Sequence, residues 1–82
     1  MSMEGWEMHV ADLLIHVDET LDTRECALIE EELRRAEGVI APRFNTEKPH
    51  LLLVSYDPDK IDSRNLLSRV TDTGYSAQLI GM

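Results

Sequence analysis

The chain has 82 residues, sixteen acids against eight bases, a formal charge of −8 and one cysteine. That length suits one small domain with a thin two-layer core and leaves no room for a deep catalytic cleft. The acidic balance argues against nucleic acid and anionic membrane surfaces, and a lone cysteine excludes an internal disulfide or a multi-thiolate metal site within one chain.

Residues 1–10, MSMEGWEMHV, hold no sustained period and are expected to form a flexible N-terminal tail. They lack the basic region and apolar run of a signal peptide, and the longest apolar stretch, Leu51 to Val54, is only strand-sized. The cytoplasm is the expected location, without membrane insertion. The remaining residues, 11–82, are expected to form one domain.

From Ala11 the pattern sharpens. Leu13, Ile15 and Val17 alternate with Leu14, His16 and Asp18, which predicts a strand with one strongly apolar face. Thr20 to Thr23 break the alternation and open a helix whose inner stripe is Cys26, Ile29, Leu33 and Ala36. Gly38 is placed to end that helix. Val39 to Phe44 reads as a second strand, and Pro42 assigns it to a sheet edge, because proline cannot donate to a ladder. A turn over Asn45 to Pro49 leads to a third strand, His50 to Tyr56. Asp62 is the expected N-cap of a second helix, with Ile61 and Leu66 as a hydrophobic staple and Leu66, Leu67 and Val70 facing inward. After Gly74, Tyr75 to Ile80 closes the chain as a fourth strand.

The order strand–helix–strand–strand–helix–strand predicts an α+β, ferredoxin-like βαββαβ sandwich. Right-handed crossovers give a four-stranded antiparallel sheet in the order 4-1-3-2, with two helices on one face.

Several segments resemble the heavy-metal-associated (HMA) domain of copper chaperones and metal-pumping ATPases. They are Ile15-His16-Val17, Ile29-Glu30 with Leu33, Gly38-Val39, Val54-Ser55-Tyr56-Asp57-Pro58, Leu66 and Gly74-Tyr75-Ser76-Ala77. Together they run from about Leu13 to Ile80. The resemblance implies the same fold and a heavy-metal-handling context. The family carries Met-x-Cys-x-x-Cys at the entry to its first helix, where two thiolates hold Cu(I) or another soft cation. Counted back from Gly38, the sulfur positions fall on Asp22 and Glu25 and the methionine position on Thr20.

Two readings of that acidic loop follow. Asp22 and Glu25 have the spacing of a capping box and complement the positive helix end. Alternatively, Asp18, Glu19, Asp22 and Glu25, with a histidine or Cys26, supply oxygen-rich ligands for a divalent metal ion. Cys26 lies in phase with Ile29 and Leu33, which suits a small core hydrophobe. His16 is out of phase with Ile15 and Val17 and is expected on the sheet face that lacks helices, with Leu14, Leu51, Leu53 and Ser55. Neighbouring leucines facing water form an interaction surface for a protein partner or a second copy in a homodimer. The candidate covers also include the N-terminal segment with Trp6. Half of the acids lie between Asp18 and Glu37, a surface suited to a basic protein partner, with Asp18 and Glu19 at its front. No nucleophile elbow or phosphate-binding glycine loop is present, so the chain reads as a non-enzymatic module, accessory or regulatory in metal handling.

Overall fold

The computed structural model describes residues 10–80; of the tail expected over residues 1–10, all but Val10 lies outside the described residues. Strand β1 (Ala11–Val17) buries Leu13, Ile15 and Val17, as its alternation requires. It pairs antiparallel with β3 (Leu51–Tyr56), setting Leu13 opposite Val54 and Ile15 opposite Leu52. The other neighbour of β1 is β4 (Ala77–Ile80), and β2 (Val39–Phe44) pairs with the free side of β3. The sheet order β2-β3-β1-β4 is the expected 4-1-3-2 read from the other edge. Pro42 therefore sits on an edge strand, with a register shift between Val39 and Ala41 beside it.

Helices α1 (Thr23–Arg34) and α2 (Ser63–Thr71) cover one sheet face, α1 over β2 and α2 over β4. Ile29 and Leu33 of α1 and Leu66 and Val70 of α2 are fully buried against Ile15, Val17, Leu52 and Val54. Burying each of these side chains contributes roughly 1.5–3 kcal/mol. Asp62 caps α2 by accepting the Asn65 N–H at 2.8 Å, and Ile61 and Leu66 are both buried around it. Arg69 of α2 reaches Glu32 of α1 at 3.3 Å across the helix pair.

Three boundaries differ from the sequence expectation. Helix α1 closes at Arg34, with the Arg35 N–H bonded to Glu32 and the Ala36 N–H to Leu33. These tightened bonds satisfy the last carbonyls, so Gly38, with φ 101°, turns the chain into β2 rather than capping the helix itself. His50 lies just before β3, and Tyr75 and Ser76 lie just before β4. Both short stretches bond to other segments through side chains or single backbone groups instead of through the ladder.

Candidate functional site

The β1–α1 connection enters the helix through Asp22. Its Oδ1 accepts the Glu25 N–H at 2.7 Å, and Glu25 Oε1 accepts the Asp22 N–H at 3.1 Å. This is a complete capping box, satisfying backbone donors that the first turn leaves unpaired. The second Glu25 oxygen accepts the Tyr75 O–H at 2.6 Å. Glu19 receives the Ser76 N–H on both oxygens, at 2.9 and 3.1 Å. Asp18 lies 3.1 Å from His16 Nδ1. The acids of this loop thus each hold a backbone or side-chain partner, and two of them tie the loop to the start of β4.

Cys26 is half-buried, packed against the edge of the core. It lines an open groove of about 630 Å³ between the start of α1 and the β2–β3 turn, with Leu21, Ala27, Phe44 and Pro49. Burial, then the charges of Glu30, Asp22 and Glu25, push its thiol pKa above the ordinary value. The thiolate, which is the metal-binding form, is disfavoured there. Among the described residues no three His, Cys, Asp or Glu side chains converge as a metal-ligand set. The donors present do not fit the two-thiolate coordination that the resemblance implies: the chain has a single cysteine, and Asp22 and Glu25 both bond within the cap.

The sheet face without helices carries the other group of candidate residues. Leu14 stands opposite Leu53, and His16 opposite Leu51, in an uninterrupted β1–β3 register. Leu14, His16 and Leu51 are half-exposed, and Leu53 keeps 39% of its surface accessible. Two neighbours were not singled out from the sequence. Ile80 of β4 lies opposite Leu14, and Arg43 of β2 lies opposite Leu53. Together they extend the row across four strands. Counting strand parity in β2 and β4, as was done for β1 and β3, supplies the missing signal. Behind this row, the Ser55 hydroxyl donates to Asp12 at 2.7 Å.

At the other end of β1, His16 and His50 stack, with ring centres 5.7 Å apart and planes inclined by 19°. Their proximity was not anticipated, because the two residues are 34 positions apart and only the β1–β3 register brings them together. His50 Nδ1 is 2.9 Å from the Val17 carbonyl oxygen, and the His50 carbonyl accepts the Val17 N–H at 2.9 Å. His50 therefore grips both sides of one residue at the end of β1.

Solved structures overlay closely on this arrangement. One is an N-terminal domain of a potential copper-translocating P-type ATPase from Bacillus subtilis in the Cu(I)-loaded state, with TM-score 0.78 and 21% identity over 87% of this chain and 88% of that one. Oxidized MerP from Ralstonia metallidurans matches with TM-score 0.77 and 17% identity over 87% of this chain and 97% of its own. The apo copper chaperone of Enterococcus hirae matches with TM-score 0.75 and 22% identity over 83% of this chain and 98% of its own. The chain has the heavy-metal-associated fold. No protein-family model matches the sequence, and no curated protein matches it either. The likeness to HMA domains is thus one of fold, at 17–22% identity. No helix among the described residues is long and apolar enough to cross a membrane.

Proposed function

We propose that this HMA-fold chain is a non-enzymatic accessory or regulatory module of a heavy-metal-handling system, acting through protein contacts in the cytoplasm. The observation that carries the reading is the Leu14–Leu53 pair on the sheet face that no helix covers, bordered by Leu51 and His16. An apolar row across adjacent strands of so small a domain favours a covered surface. The acidic loop at Asp18 and Glu19 adds long-range attraction for a basic partner, and the net charge of −8 strengthens it. The alternative, a divalent ion held by Asp22 and Glu25 with Cys26 or a histidine, draws less support. A metal there would have to displace the cap bonds and the Tyr75 hydroxyl.

The test is sedimentation of the chain alone and mixed with the soluble domain of a metal-pumping ATPase from the same genome. A complex weakened by salt and by Leu53→Lys is expected. A monomer at all concentrations that binds no such domain would count against the reading. Titration of the isotope-labelled chain with Cu(I), Zn(II), Mn(II) and Ca(II) supplies the second arm. Saturable amide shifts confined to residues 18–26 would replace the contact reading with the metal one.

A further inference from the structure

The geometry points to a second kind of metal site, away from the helix entry: His16 and His50 as a two-imidazole site for a borderline divalent cation such as Zn(II) or Cu(II). Four observations carry it. The Val17 carbonyl is purely an acceptor, so the 2.9 Å contact makes His50 Nδ1 the protonated nitrogen. In the neutral ring the lone pair then sits on Nε2. The same reasoning applies to His16, whose Nδ1 lies 3.1 Å from an Asp18 oxygen. An imidazole that gives its Nδ1 proton to a carbonyl or carboxylate is presented in the form used by metal-bound histidine. Among the described residues neither Nε2 has a hydrogen-bond partner.

The third observation is spacing. Two imidazoles on one ion, each with a bond of about 2.0–2.1 Å, have ring centres roughly 4.5–6 Å apart. The observed 5.7 Å falls inside that range, and because the rings are stacked with planes 19° apart, the His16 ring rotates out of the stack for both Nε2 atoms to face one ion. The fourth is access combined with anchoring. His50 is clamped to Val17 through both its ring and its carbonyl, while the His16 side chain is 37% exposed and meets only the exposed Asp18 carboxylate among the hydrogen-bond partners of the described residues. Imidazole nitrogen suits copper and zinc in their divalent states, and Cu(II) heads the affinity order for such donors. With two protein ligands, water completes the coordination.

A purely structural role accounts for half of this arrangement. The His50 bonds to Val17 are a latch that joins the ends of β1 and β3. The latch does not require a second, near-parallel imidazole with its own carboxylate beside it. The site shares His16 with the contact surface above, but it is tested on the isolated chain, so its failure is distinguishable from that of the contact reading.

The experiment titrates the full labelled chain with Zn(II) and follows the imidazole nitrogen and carbon-bound proton resonances, then repeats the titration with Cu(II) under electron paramagnetic resonance. Saturable one-to-one shifts of the His16 and His50 Nε2 resonances are expected, with both Nδ1 protons retained, and the Cu(II) spectrum should show two coordinated imidazoles. His16→Gln, which leaves the Val17 latch intact, and His50→Gln should each weaken binding at least about tenfold, and Asp18→Asn should weaken it by about tenfold. His9→Gln should leave it unchanged. Failure to saturate, shifts centred on residues 22–26, or loss of binding in His9→Gln with retention in His16→Gln would each overturn the assignment. Should His50→Gln fail to fold, the His16→Gln titration and the imidazole count decide the question.

Discussion

The Tyr75 hydroxyl donates to Glu25 at 2.6 Å, joining the stretch just before β4 to the third position of α1, fifty residues away. Glu25 is thereby committed twice, once to the cap and once to the phenol. The bond, then burial, then the charges of Glu25, Asp22 and Glu19 push the Tyr75 pKa up to about 12. A raised folded-state pKa means the protonated phenol favours folding. The contribution is complete below the unfolded value near 10 and is lost as pH rises through about 12. Absorbance titration of the phenolate should show one tyrosine ionising late, and Glu25→Gln should bring that step back toward the ordinary range. A Tyr75 phenol that ionises at the ordinary value in the unaltered chain would contradict the bond.

The two glycines with positive φ predict unequal costs. Gly38 (φ 101°) and Gly74 (φ 104°) are both strained by any side chain, by roughly 1–2 kcal/mol. At Gly38 a Cβ would also meet Ile61 Cγ2 at 2.8 Å and Lys60 Cβ at 2.9 Å, whereas at Gly74 it meets nothing within 4 Å. Gly38→Ala should therefore lower the urea midpoint clearly more than Gly74→Ala. Equal shifts would mean that the Lys60–Ile61 turn yields without cost.

Cys26 should react slowly with alkylating reagents near neutral pH. Its thiol is held protonated by burial and by three nearby acids. A rate–pH profile should have its inflection above that of a free cysteine peptide, and Glu30→Gln should move it down. A fast reaction at neutral pH would indicate an exposed, activated thiol instead.

Leu53 and Leu66 separate the two faces of the sheet. Leu53→Lys, on the open face, should change the stability of the isolated chain by no more than about 0.5 kcal/mol while reducing association with a partner. Leu66→Ala, at a fully buried position of α2, should cost about 2–5 kcal/mol. Chemical denaturation and sedimentation of the two variants provide the comparison.

Period and punctuation made most of the fold legible. Leu13, Ile15 and Val17 announced a half-buried strand, Pro42 announced an edge, and Asp22 and Asp62 announced two helix starts. The capping box was also legible, because its partners are three residues apart. What escaped were couplings between distant positions. Nothing local to Tyr75 indicates Glu25 as its acceptor, and nothing in the spacing of His16 and His50 requires them to stack. The end of α1 is hidden for a related reason: tightened bonds after Arg34 finish the helix before Gly38 is reached.

Pro42 has a further consequence for assembly. A strand from another molecule that tried to extend the sheet beyond β2 would find no amide hydrogen at that position, beside a shifted register. At the opposite border β4 offers only four residues. Growth by backbone zippering, the route toward fibrils, is blunted at both margins of the sheet that the described residues form.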